Sequence, residues 1–136
     1  MHPVRPAGQI DIKVTCCKGV QVYFAIEAKR LRVCDRFGSV ETRSPQYVDD
    51  GMMRFITGQY APLMNIGAML GYVFDGHVAT ARDSISKTIE KRRNELRLRQ
   101  GTGLRPSKIM PNRVVDETVH NPDKRELTLY HVLVAV

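Results

Sequence analysis

The chain has 136 residues, 43% of them hydrophobic and 26% charged, with a formal net charge of +7. That size supports one domain with a real core and leaves little room for two, so residues 1–136 read as a single domain. No run approaches the roughly 18 uninterrupted apolar residues of a membrane span, and MHPVRPAGQ at the start lacks an apolar signal segment, so a soluble, cytoplasmic protein is expected.

In residues 9–17, Ile10, Ile12, Val14 and Cys16 alternate with Gln9, Asp11, Lys13 and Thr15. In residues 20–28, Val20, Val22, Phe24, Ile26 and Ala28 alternate with Gln21, Tyr23, Ala25 and Glu27. Two adjacent runs of period-2 alternation predict the half-buried strands of a β-hairpin. The turn falls at Cys17-Lys18-Gly19, with Gly19 suited to the left-handed position of a three-residue loop. Pairing Cys16 with Val20 puts the apolar residues on one face and Asp11 opposite Ala25, diagonal to Glu27, on the other. Diagonal neighbours lie about 7–8 Å apart, close enough for two carboxylates to reach one ion. Cys16, Cys17 and Cys34 are an odd number without metal-ligand spacing and read as reduced structural thiols.

Residues 34–45 read as a loop closed by Ser44-Pro45, followed by a helix over about Gln46 to Thr57 with Val48, Met52, Phe55 and Ile56 on its apolar side. Ala68 to Phe74 is a short continuous apolar run and predicts a buried strand. The longest helix is expected from His77 to Arg99, where Val78, Ala81, Ile85, Ile89 and Leu96 form an apolar stripe. Its second half is basic, and residues 77–136 carry a net charge of +5 against +2 for residues 1–76. Such a surplus favours a polyanionic partner, because each phosphate neutralised releases counterions. Lys91, Arg92 and Arg93 are therefore candidate nucleic-acid contacts. Residues 100–126 predict an irregular connection with a short element near Arg113–Glu117. Leu127 to Val136 predicts a strand central in the sheet, in which His131 reads as a satisfied core histidine. The order ββ-α-β-α-β gives an α/β fold: a mixed β-sheet with a central β-hairpin, flanked by helices.

The hairpin also carries chemistry. Mg²⁺ prefers oxygen ligands and typically takes one or two protein carboxylates together with substrate phosphate oxygens. Asp11 and Glu27 suffice for this, with the backbone carbonyl of Ala28 as a third ligand, and Mn²⁺ is an alternative ion. Lys29, two residues after Glu27, projects from the same face, where an ammonium can orient a water and stabilise developing charge.

Asp11, a hairpin, and a hydrophobic strand ending in Glu27-Ala28-Lys29 together resemble the PD-(D/E)xK nuclease superfamily, which includes restriction endonucleases and Holliday-junction resolvases. The resemblance covers about residues 8–33. It implies a restriction endonuclease-like core, a magnesium-dependent nuclease acting on DNA, metal binding by Asp11 and Glu27, and a catalytic Lys29. Arg30, beside the triplet, is a further candidate nucleic-acid contact. Some relatives place a Gln and a Tyr on the helix after the lysine strand, which makes Gln59, in Gln59-Tyr60, a candidate too. The family usually has a helix before its first core strand, whereas ten residues precede Asp11 here. That helix is missing, replaced, or supplied by another subunit or partner chain. Two other readings compete: a non-catalytic nucleic-acid-binding or assembly module on the same scaffold, and a structural subunit that completes its sheet with a partner.

Overall fold

A computed structural model of the chain describes residues 12–15, 23–58, 65–110 and 115–136. Strands β1 (Ile12–Thr15) and β2 (Tyr23–Cys34) pair antiparallel, as the alternation predicts. The register differs from the expected one: Ile12 faces Ile26, and Lys13 rather than Asp11 stands opposite Ala25. The offset is two residues, and alternation cannot detect it, because only a one-residue slip exchanges the faces. The expected turn at 17–19 lies outside the described residues.

Strand β2 continues well past Ala28, and the expected 34–45 loop contains a further strand, β3 (Val40–Thr42), which folds back antiparallel onto it. All three residues of β3 are exposed, so no alternation marks it. Asp35 shapes the turn between them, its Oδ1 accepting the backbone N–H groups of Phe37 and Ser39 at 2.8 Å each.

The remaining strands are β4 (Ile66–Val73), β5 (Arg105–Pro106), β6 (Val115–His120) and β7 (Leu127–Ala135). Among the described residues they form a seven-stranded sheet in the order β1-β2-β4-β7-β6-β5, with β3 also on β2. Strands β2, β4 and β7 run parallel, and the other pairs are antiparallel. The mixed α/β class and the interior place of β7 agree with expectation. The hairpin does not sit at the centre: β1 is an edge strand, and β4 and β7, the two continuous apolar runs, take the middle.

The β2–β4 crossover is helical over 44–56, as α1 (Ser44–Tyr47), a π-helical turn (Val48–Met52) and α2 (Met53–Ile56). The second crossover contains α3 (Val78–Lys91). Both pack on the same core, where Tyr47, Met52 and Phe55 meet Ile85, Ile89, Leu31, Met69 and Leu129. Gly67 permits the approach, since a Cβ there would lie 2.5 Å from the Phe55 ring. No helix among the described residues is long and apolar enough to cross a membrane.

Helix α3 stops at Lys91, short of the expected Arg99, although Leu96 is buried as the stripe predicts. The chain beyond it gives its hydrogen bonds to β6: Arg99 N donates to Val119 O at 2.9 Å, and Asn121 N donates to Arg97 O at 2.8 Å. Arg97, in the turns that follow α3, takes a φ of 52°. Residues 100–126 are accordingly not an irregular connection, because β5 and β6 lie within them. VDETVH does not read as a buried strand because Asp116, Glu117, Thr118 and His120 are all buried polar residues.

A further correction concerns the faces of β2. Ala25, Glu27 and Leu31 are buried, whereas Ile26 and Ala28, the expected core face, are half-buried on the other side. Ile26, Ala68, Tyr130 and Val132 line a shallow apolar cleft there, with exposed Ile109 and Met110 at its rim. The apolar pattern fixed the alternation but not which face the helices cover, because the charge of Glu27 is met by cations inside the fold.

Candidate functional site

Strand β2 carries Glu27 beneath the π-helical turn. Gly51 of that turn lies directly over it, so that a Cβ there would touch Glu27 Cγ at 3.7 Å. Glu27 is 1% exposed. Its Oε1 accepts an ion pair from Lys29 Nζ at 2.8 Å and a second, longer one from Arg54 Nη1 at 3.6 Å. Its Oε2 is buried and has no hydrogen-bond partner among the described residues. An unmet buried carboxylate oxygen is unusual, since buried polar atoms nearly always find partners. Lys29 keeps 23% of its side chain exposed, so the ammonium stands at the mouth of the site and the carboxylate at its floor.

A cleft of about 350 Å³ opens beside this pair. Strand β2 lines it with Ala28, Lys29 and Arg30, and β4 with Tyr72. The rest of the lining is Arg43, at the start of the helical segment, with Gln46 and Asp50 from α1 and the π-helical turn. Arg43 approaches Glu41 at 3.6 Å through Nη2, while its Nε is buried without a partner among the described residues. Asp50 also lines a neighbouring cleft that contains Arg54, so the two depressions share one carboxylate. π-Helical turns occur often at functional sites, and this one aims Asp49 and Asp50 outward while Gly51 and Met52 are buried.

Of the residues singled out from sequence, Glu27 and Lys29 are brought together, and Ala28 and Arg30 line the adjoining cleft. Asp11 and Gln59 lie outside the described residues. Lys91 is exposed at the end of α3. Arg92 is engaged with Asp49 and Glu95, and Arg93 with Glu90 at 3.0 Å and the Thr102 carbonyl. Sequence reasoning missed Arg43, Gln46, Asp50, Arg54 and Tyr72. A signal for part of this set was present: Gln46, Asp50 and Arg54 recur at four-residue intervals on the side of the predicted helix away from Val48, Met52 and Phe55.

A second polar cluster lies in the core, where α1 meets β7 and β6. The Tyr47 hydroxyl meets His131 Nδ1 at 2.6 Å, and His131 Nε2 meets Thr118 Oγ1 at 2.8 Å. Thr118 Oγ1 meets His120 Nε2 at 2.7 Å, and His120 Nδ1 meets the Leu96 carbonyl at 2.7 Å. That carbonyl can only accept, so His120 Nδ1 carries a proton and its Nε2, in the neutral ring, accepts from Thr118. Thr118 then accepts from His131 Nε2–H, and His131 Nδ1 accepts from Tyr47. Burial lowers the pKa of His120 to about 4 against the pull of the Leu96 carbonyl, and lowers that of His131 to about 3, with His120 adding to the effect. Burial also raises the Tyr47 hydroxyl well above its ordinary value. The cluster is neutral and complete.

No family model, curated protein or solved structure matches this chain. The functional reading therefore rests on the site itself.

Proposed function

We propose that the chain is a metal-dependent phosphodiesterase acting on nucleic acid, DNA foremost, with its chemistry centred on Glu27 and Lys29. The observation that carries this reading is Glu27 Oε2, a buried carboxylate oxygen with no partner among the described residues, beside an oxygen already held by Lys29. A hard divalent cation, Mg²⁺ or Mn²⁺, takes oxygen donors of this kind. Asp11 is the proposed second carboxylate, and its chain neighbour Ile12 pairs with Ile26, the neighbour of Glu27. When bound, the metal supplies a more acidic water and neutralises charge on the attacked phosphate.

The chain's own groups have separable tasks in this reading. Glu27 fixes the position of the cation, and burial excludes competing water from its unmet oxygen. Lys29, held by Glu27 and open to the cleft, stabilises charge developing on the phosphate. Arg30 and Arg43 attract the polyanion, as does the overall charge of +7. Incubation of plasmid and single-stranded DNA with Mg²⁺ tests the reading. Cleavage is expected, falling about 100- to 1,000-fold in Lys29→Ala, the usual effect of removing one charge-stabilising donor, and below detection in Glu27→Ala. Cleavage that survives both substitutions overturns it.

A second reading, a non-catalytic nucleic-acid-binding module, is favoured by the cations that already neutralise Glu27. It predicts heat-silent Mn²⁺ titrations for both the unsubstituted chain and Glu27→Gln. The nuclease reading predicts binding that Glu27→Gln abolishes.

A further inference from the structure

The cleft beside Glu27 and Lys29 is also lined by a tyrosine that the phosphodiesterase reading does not use. Tyr72 lies next to Arg30 in the β2–β4 register, directly before an irregularity between Arg30 and Arg32. Bulges of this kind re-aim side chains near functional sites. The Tyr72 ring lies 6.5 Å from that of Phe74, which is 40% exposed, so two aromatic rings stand together at the end of β4. Around Tyr72 the cleft presents Lys29, Arg30 and Arg43 against one carboxylate, Asp50. The Nε of Arg43 is a buried donor with no partner among the described residues.

Cations and an aromatic ring in one cleft match a nucleotide with its base out of the duplex stack. In a duplex both faces of each base are covered by its neighbours, and a protein ring reaches a base face only when that stacking is absent or broken. The volume of about 350 Å³ is near the lower end of the roughly 300–1,000 Å³ typical of ligand clefts. That is the scale of a single nucleotide. The geometry points to single-stranded nucleic acid as the substrate class, with one base stacked on Tyr72 and the adjoining phosphates met by Arg30 and Arg43. The inference rests on the phosphodiesterase reading for the chemistry that follows binding, since it places the strand beside Lys29.

The test is fluorescence anisotropy of the whole chain with an end-labelled oligonucleotide, single-stranded or annealed to its complement, in EDTA so that binding is read without cleavage. The single strand is expected to bind at least tenfold more tightly than the duplex. Tyr72→Ala is expected to weaken single-strand binding about tenfold, the effect of losing one base–aromatic stack, with Tyr72→Phe close to the unsubstituted chain. The chain contains no tryptophan, so Tyr72→Trp gives a lone fluorophore that oligo(dT) should quench, which keeps the test open should the alanine variant fail to fold. Duplex binding as tight as single-strand binding, or an unquenched Tyr72→Trp, overturns the inference. Either result leaves Mg²⁺-dependent cleavage through Glu27 and Lys29 standing with a duplex substrate. Single-strand binding that depends on Tyr72, without any cleavage, upholds the platform and removes the chemistry.

Discussion

Two of the buried polar clusters among the described residues differ in charge and in how fully their groups are paired. In the chain from Tyr47 through His131, Thr118 and His120 to the Leu96 carbonyl, every donor has an acceptor and no charge is present. In the cluster of Glu27, Lys29 and Arg54, a full charge is buried and one carboxylate oxygen is left without a partner. A satisfied neutral network specifies a unique core and asks for nothing further. A buried oxygen without a donor is destabilising by about 1–3 kcal/mol unless something binds it. The comparison sets a self-satisfied network beside a buried carboxylate on which the proposed function rests.

The largest expected effect breaks the neutral cluster by acid. The folded-state pKa values of His120 and His131 lie below the ordinary 6.5, at about 4 and about 3. As pH falls from 6.5 toward these values, the unfolded chain takes up protons that the folded chain refuses. The stability gained by keeping both rings neutral is full above pH 6.5 and is lost progressively below it. Urea unfolding at pH 7 and pH 5 should differ by about 2 kcal/mol for each histidine, with pH 5 the less stable. Equal stabilities would mean that the rings are not held neutral.

Thr118→Val breaks the same cluster at its midpoint. The hydroxyl both accepts from His131 and donates to His120, so the nearly isosteric valine strands one donor and one acceptor inside the core. A loss of about 3 kcal/mol is expected, read as a lower urea midpoint with an unchanged slope. A loss under 1 kcal/mol would place water, rather than Thr118, between the two rings.

These clusters also explain what the sequence could disclose. The hairpin, the β4 and β7 runs and the stripe of Ala81, Ile85, Ile89 and Leu96 were legible, because apolar spacing reports burial directly. Strand β6 was not, because a buried polar residue looks like an exposed one until its partner is known. The partners of Asp116, Thr118 and His120 come from Arg82, His131 and Leu96, all distant in sequence or on another element. The same blindness assigned Glu27 to a solvated face. The pair Glu27 and Lys29 was legible from its i, i+2 spacing on a strand. Arg43, Gln46, Asp50 and Tyr72 joined it only through the parallel crossover that lays 44–56 against β2 and β4.

The smallest expected effect sharpens the comparison. Glu27→Gln removes the buried charge and keeps the shape, and its amide can still accept from Lys29 through one oxygen. Lys29 and Arg54 are partly exposed, at 23% and 34%, so water can take over their charges. Stability should therefore change by less than about 1 kcal/mol, in contrast to Thr118→Val. The same substitution should abolish stabilisation by Mn²⁺, which raises the melting temperature only if the ion binds the folded chain. Melting curves of both forms, with and without Mn²⁺, give the two answers together. A Glu27→Gln chain several kcal/mol less stable would make the carboxylate architectural, and the distinction between the two clusters would vanish.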